Sequence, residues 1–427
     1  MRKIDRDILS IAVPSIVANI TTPLLGLVDM AIVGHMGSPA YMAAIALGGT
    51  MFSMIYWVFA FLRMGTSGMT AQAVGAGDIV ERDAALFRAM SVAMLIGVSL
   101  IALQVPVCRV MLHFFGGDAT ASALAARYFD ILIYGAPATM GLYVLNGWMI
   151  GVQNSRLAMW TSLIINVVNI AASLMLVYAA RMGIAGVATG SLIAQWTGFA
   201  AGCMMIMRYR PRIGELRRLF EAGRLKRFFS VNVDIFLRTL CLVAVTVWFT
   251  RAGAGQGDIV LAVNALLMQL FILFSYMMDG FAFAGEALAG KLTGAGDVRT
   301  KHAVVRRLFV IGGGVSIAFT VVYALFGREI LGLLSTEASV VAMAQEYLWW
   351  GVSVPLAGVT AFIWDGVFIG ETRTRQMLLS MAVAMVVFFT VYLTLYSSLG
   401  NHALWLAFIL YLAVRGAVQT IFYFRKG

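Results

Sequence analysis

The sequence predicts an all-α polytopic membrane protein, with twelve transmembrane helices in two six-helix lobes related by a parallel pseudo-two-fold repeat. Three observations carry this. Of the 427 residues, 61% are hydrophobic and only 12% are charged, whereas a soluble domain has about 45–50% and about 25%. Twelve apolar stretches each reach the roughly 20 residues that cross a bilayer. One pattern of residues recurs at an offset of 219. A soluble exterior needs more polar cover than this chain has, so a soluble enzyme, a disordered chain and a nucleic-acid-binding protein are all excluded. Cys108, Cys203 and Cys241 lie in apolar runs. Their odd number argues against a disulfide framework or a zinc site. The start, Met1-Arg2-Lys3-Ile4-Asp5-Arg6-Asp7, runs straight into an apolar stretch, so no cleavable leader is expected.

The spans fall near 8–33, 41–68, 86–112, 124–150, 157–180 and 184–208, then near 227–250, 259–289, 303–327, 340–370, 376–398 and 402–424. Connections between them are short. The one long loop is expected at about 208–227, which divides the chain into an N-terminal lobe (1–208), an inter-lobe loop (209–226) and a C-terminal lobe (227–427).

Lys and Arg set the orientation, because cytoplasmic loops collect them. With the N-terminus inside, the inside segments hold 23 basic residues, eight of them in the run Arg208, Arg210, Arg212, Arg217, Arg218, Arg224, Lys226 and Arg227. The outside segments hold four: Arg109, Arg181, Arg251 and Arg328. Both termini are therefore expected in the cytoplasm of a plasma membrane. The central run reads as a topology anchor rather than a nucleic-acid site.

The repeat is specific in register. Gly75-Ala76-Gly77-Asp78 recurs as Gly294-Ala295-Gly296-Asp297. The same offset pairs Tyr128 with Tyr347, Asn146 with Asp365, Gly147 with Gly366, Ile150 with Ile369, Gly151 with Gly370 and Arg156 with Arg375. Six spans is an even number, so both halves enter the membrane from the same side, as in parallel repeats about an axis along the membrane normal. Such lobes can rock around a cleft, which is transporter architecture.

Charge within a bilayer is costly and marks function by default. Asp29 lies in the outer part of the first span with no basic residue near it in sequence. A buried carboxylate of this kind suits a group that takes up and releases a proton. Asp234 and Arg238, four apart, are helix neighbours that can neutralise each other. Asp130 and Arg127, three apart, are expected to pair. Asp279 and Glu286 share one helix face, with Glu286 near the inside loop and open to solvation there. Asp365, deep in the tenth span, and its repeat partner Asn146 are cavity candidates. On the fifth span Asn169 and Ser173 share a face and Asn166 is near them; such groups either pack helices or line a cavity. Pro14, Pro23, Pro106, Pro137 and Pro355 fall inside spans, where proline frees a carbonyl and kinks the helix. The 26 methionines are mostly packing residues, and any that line a cavity would suit varied ligands.

Taken together, Pro14 with Val28-Asp29-Met30-Ala31-Ile32-Val33-Gly34, the stretch Asn232-Val233-Asp234-Ile235-Phe236-Leu237-Arg238, the run Asp279-Gly280-Phe281-Ala282-Phe283-Ala284-Gly285-Glu286-Ala287, and Asp365-Gly366-Val367-Phe368-Ile369-Gly370 resemble the multidrug and toxic compound extrusion family, in its DinF-like branch. The resemblance covers nearly the whole chain. It implies a V-shaped pair of lobes in a bacterial inner membrane, exporting amphipathic, often cationic compounds against H⁺ or Na⁺ uptake. It implies cation coupling at Asp29 and helix bending at Pro14. It extends more weakly to Asn169, Ser173 and Ser191, because many relatives carry an Asp where this chain has Ser173. The loss of that second carboxylate points to H⁺ before Na⁺, since a desolvated sodium ion needs several oxygens and balancing charge. No cofactor is implied. The expected partners are small organic substrates and membrane lipids, not nucleic acid, and a monomer is expected.

Other readings fit less well. The loop Gly75-Ala76-Gly77-Asp78-Ile79-Val80-Glu81-Arg82-Asp83 lacks the signature of a major facilitator. A lipid-linked-oligosaccharide flippase of the same superfamily would need a strongly cationic cavity, but the basic residues within spans are only Arg63, Arg127, Arg238 and Arg415. An intramembrane enzyme would need a nucleophile set or a metal cluster, and an ATPase would need a phosphate-binding loop. The sequence has none of these.

Overall fold

The computed structural model describes residues 3–34, 39–115, 118–211, 221–335 and 337–425. Among them there is helix and no strand. In chain order the helices are α1 (Lys3–Gly34), α2 (Pro39–Val58), α3 (Phe61–Gly75), α4 (Ile79–Ala102), α5 (Gln104–Phe115), α6 (Ala119–Leu132), α7 (Ala136–Gly151), α8 (Ser155–Leu174) and α9 (Ile184–Met207). There follow α10 (Ala222–Ala254), α11 (Asp258–Gly294), α12 (Val298–Leu334), α13 (Ala338–Gly370), α14 (Thr374–Leu399) and α15 (Asn401–Phe424). Eleven stretches among the described residues are long and apolar enough to cross a membrane. The 32-residue α1 covers the remaining predicted span.

Three predicted spans of the first half are each built from two helices. The chain turns at Phe59–Ala60 between α2 and α3, at Leu103 between α4 and α5, and through a short 3₁₀ segment, Ile133–Gly135, between α6 and α7. Two of these breaks sit beside proline. Pro137 falls in the first turn of α7, and Pro106 in the first turn of α5, where a missing N–H costs nothing. α1 and α13 instead stay helical through Pro14, Pro23 and Pro355. α10 begins at Ala222, inside the stretch 208–227 predicted as the long loop. Arg212, Arg217 and Arg218 of the basic run lie outside the described residues.

The chain divides into two compact units, Val13–Phe228 and Met1–Ala12 with Phe229–Gly427. Against the bounds 1–208, 209–226 and 227–427 drawn from the sequence, the unit edges fall inside α1 and α10. Each edge has a local cause. Arg307 on α12 donates from Nη2 to Asp5 Oδ2 at 3.0 Å and from Nε to Oδ1, and this fork holds the first turns of α1 to the second-half unit. Arg224 pairs with Glu81 on α4 and with Glu221 at 2.8 Å, while Arg227 donates to Gln72 at 2.7 Å. The first turns of α10 therefore stay with the first-half unit.

The repeat is legible within each unit. Gly77 and Gly296 adopt φ of 69° and 71°, and Gln153 and Thr372 adopt 63° and 53°; both pairs are 219 apart. Asp78 and Asp297 each cap the following helix, accepting from the amides of Glu81 and Thr300 at 2.9 Å. A Cβ at Gly147 would stand 2.3 Å from the carbonyl oxygen of Arg63, and one at Gly366 would stand 2.1 Å from that of Ala282. The pairs α3–α7 and α11–α13 are therefore in backbone contact, which is how spanning helices associate where lipid supplies no hydrophobic drive.

Candidate functional site

The first-half unit holds a group of buried oxygens supplied by α1, α6, α8 and α9. Asp29 on α1 is 7% exposed, and Asn169 and Ser173 on α8 are fully buried. Asn169 and Ser173 are one turn apart, so the helix alone puts them on one face. Asn169 Nδ2 donates to Ser191 Oγ on α9 at 2.7 Å. That bond uses the amide's donor side and leaves Asn169 Oδ1 buried without a partner. Ser173 Oγ and Asp29 Oδ1 are likewise buried and have no hydrogen-bond partner among the described residues. Tyr128 on α6 closes the group. It lies beside Ser191 and within electrostatic reach of Asp29. Buried polar atoms are nearly always satisfied, and among the described residues of this unit Asp29 Oδ1 is the one carboxylate oxygen that is buried without a partner.

α8 is tied to α1 on both sides of Asp29. Asn166 Nδ2 donates to the carbonyl of Thr21 at 3.1 Å, and Tyr178 Oη donates to that of Ile32 at 3.3 Å. Tyr178 lies in a π-helical turn, Met175–Ala179, that follows α8 just after Ser173; such turns often sit at functional sites. The polar face of α8 thus does both things the sequence left open. Asn166 packs helices, while Asn169 and Ser173 keep oxygens to spare. The sequence had marked Tyr128 only as a repeat position, and nothing in it marked Tyr178. Asn146 on α7 is half-buried, and its Oδ1 has no hydrogen-bond partner among the described residues.

In the second-half unit the acids are arranged differently from what their spacing suggests. Arg238 does not pair with Asp234. It donates to Asp365 Oδ2, and Asp234 Oδ2 instead accepts from the hydroxyl of Thr374 at 2.8 Å. Arg415 also donates to Asp365 Oδ2, at 2.9 Å, and Gln419 Nε2 donates to Oδ1 at 2.7 Å. Asp365 is thereby enclosed by α10, α13 and α15. Arg415 and Gln419, four apart on α15, were a legible helix pair, but nothing in the sequence aimed them at Asp365. Asp279 on α11 is half-buried and within electrostatic reach of Arg415. Glu286 is not solvated as expected near the inside loop; it is fully buried. Its turn of α11 packs against the backbone of Gly370 on α13, with a Cβ there only 2.4 Å from the Glu286 carbonyl. Arg127 and Asp130 are both exposed and are not joined by an ion pair. Among the described residues no group of three or more His, Cys, Asp or Glu side chains is placed to hold a metal ion.

The family model MatE matches residues 14–175 and again 233–394, two segments 219 apart. The chain is 38% identical over 415 residues to DNA damage-inducible protein F of Escherichia coli (strain K12), covering 96% of this chain and 90% of that one. It is 26% identical over 452 residues to a probable multidrug resistance protein NorM of Rhizobium meliloti (strain 1021), covering 98% and 93%. In fold it is similar to the outward-facing conformation of a multidrug resistance MATE family transporter of the MOP superfamily, with a TM-score of 0.90 and 18% identity over 99% of this chain and 96% of that one.

Proposed function

This chain belongs to the MatE family, and we propose that it is a secondary active antiporter of a bacterial inner membrane, with both termini cytoplasmic. In this reading it exports amphipathic, mainly cationic organic compounds in exchange for H⁺ by alternating access. The names of its relatives, a multidrug resistance protein among them, support the export reading. The observation that carries it is Asp29. A carboxylate is buried in a spanning helix, with an oxygen that has no hydrogen-bond partner among the described residues.

Antiport follows from the chemistry of one such group. Ionised, it attracts a cationic substrate. Protonated, it is neutral and holds the substrate no longer. Substrate and proton compete for one carboxylate, so loading either releases the other, and the coupling is reciprocal. Asn169, Ser191 and Tyr128 contribute a hydrogen-bonded wall, and Ser173 a further oxygen. Pro14, directly after the unit edge in α1, is the position where that helix can bend.

Sodium is the second reading. The orphan oxygens of Asn169 and Ser173 favour it, since a hard cation selects neutral oxygens together with a carboxylate. Proteoliposomes separate the two. An inward proton gradient should drive efflux of a lipophilic cation without sodium, and Asp29→Asn should abolish this while the protein still purifies as a folded monodisperse species. Efflux driven by sodium at matched pH would favour the second reading. Wild-type efflux in Asp29→Asn would remove Asp29 from the mechanism.

A further inference from the structure

We infer that the second-half unit contains a binding site for the carboxylate group of organic substrates, formed by Arg238 on α10 and Arg415 and Gln419 on α15 around Asp365. The inference rests on the export reading and extends it from cations to compounds that carry an anionic group.

The first support is cost. Arg238 and Arg415 are 5% and 3% exposed, and Gln419 is fully buried. Placing two guanidinium groups inside a bilayer is expensive, and charges kept there mark substrate or ion pathways. One acid needs one partner. Asp365 has two arginines, both on its Oδ2, so the immediate cluster carries an excess of one positive charge. Asp279 is the further acid within reach. Its effect on Arg415 is weaker than that of Asp365.

The second support is what these side chains leave unused. A guanidinium has five N–H donors and engages a carboxylate best through a two-pronged fork. Here each arginine gives Asp365 a single Nη2. Among the described residues Arg238 Nε, Arg415 Nε and Gln419 Oε1 are buried without a hydrogen-bond partner, and Arg415 also lies against the hydroxyl of Tyr411. The Gln419 orientation is determined, since its amide nitrogen must face the carboxylate. Two N–H groups and one acceptor on the side chains that hold Asp365 are therefore left for a ligand. A second carboxylate takes the two N–H groups, and an adjacent hydroxyl or ammonium on the same ligand donates to Gln419 Oε1.

The third support is that this cluster belongs to one half only. At the repeat-equivalent positions of Asp365, Arg238 and Arg415 the first half has Asn146, Asn19 and Trp196. The first half keeps an acid, Asp29, with no arginine on it, whereas in the second half two arginines converge on one acid, Asp365.

The test uses the purified full-length chain in phosphatidylcholine nanodiscs and a matched pair of probes, 1-naphthylacetate and 1-naphthylmethylammonium, which differ in the sign of charge. Saturable binding of the acetate is expected. Arg238→Lys and Arg415→Lys keep the charge but remove Nε, and each should weaken acetate binding about tenfold or more while the ammonium probe binds as before. Asp365→Asn removes the competing internal carboxylate at constant shape. It should tighten acetate binding about fivefold or more, a gain that loss of structure cannot mimic. It keeps the inference testable if the lysine variants fail to fold. No saturable acetate binding, equal binding in the lysine variants, or no gain in Asp365→Asn would each overturn the inference. So would acetate binding that disappears when phosphatidylglycerol replaces phosphatidylcholine, since lipid headgroups would then own the site. The export reading is judged separately, by ammonium binding that is lost in Asp29→Asn.

Discussion

At the scale of single residues, two kinds of position matter: atoms that are too close for change and atoms left without a partner. Gly147 and Gly366 are the first kind. Each lets a helix backbone approach a neighbouring carbonyl, and an added methyl would stand 2.3 or 2.1 Å from that oxygen. Gly147→Ala and Gly366→Ala should each cost about 1–3 kcal/mol, the range for overpacking a filled interior, read as a lower melting temperature in detergent. Because the two sites are repeat equivalents, similar losses are expected. A neutral outcome at either would show that the helices can separate freely. Asp29, Asn169 and Ser173 are the second kind. Their spare oxygens are useful only if something arrives to fill them, which is why substitution there should harm transport more than folding.

At the scale of elements, the inside turns carry the repeat in its clearest form. Asp78 and Asp297 cap α4 and α12 with matching hydrogen bonds. Asp78→Ala should cost about 1 kcal/mol, as loss of a cap does. Asp297 adds a pH dependence. Its bonds from the Thr300 side chain and amide hold its carboxyl below the usual range, and Arg299 adds to this. The folded value lies below the unfolded one, so the ionised cap stabilises the fold above the unfolded value, and that contribution is lost as the pH falls through the folded value. The gap in melting temperature between wild type and Asp297→Ala should therefore be constant at neutral pH and close only in acid. A gap that widened on acidification would contradict the assignment. α1 and α10 matter at this scale too. Each crosses a unit edge and has its first turns fixed by ion pairs, Asp5 with Arg307 and Glu81 with Arg224.

At the scale of the whole molecule, the charge of the loops, 23 basic residues against four, predicts the orientation. In a background lacking the three native cysteines, a membrane-impermeant maleimide should label Arg181→Cys and Arg328→Cys in intact cells. Arg210→Cys should react only after the membrane is opened. The reverse pattern would invert the topology. Span number and length were legible because each is a local property. About 20 apolar residues are needed wherever the bilayer is crossed, whatever the helix packs against. The offset of 219 was legible for the same reason, since the turns at Gly77 and Gly296 and the close approaches at Gly147 and Gly366 each demand a residue type in place. Asp29 was legible as well, because a charge in an apolar run stands out before any neighbour is known.

Partnership was not legible, because it depends on which helices meet. The spacing of Asp234 and Arg238 offered a ready ion pair, yet Arg238 turns to Asp365, 127 residues away. Helix α13 brings a buried carboxylate to it, while Thr374 satisfies Asp234. Tyr128 carried no signal beyond its place in the repeat until α6 set it beside Ser191. Glu286, placed near solvent by its position in the chain, is buried because Gly370 lets two backbones touch. The sequence by itself determined the membrane class, the two halves and the one conspicuous acid, since these follow from composition and periodicity along the chain. Tertiary structure alone decided which buried charges are paired and which oxygens stay free, because a hydrogen bond is set by distance in space and the chain does not encode that locally.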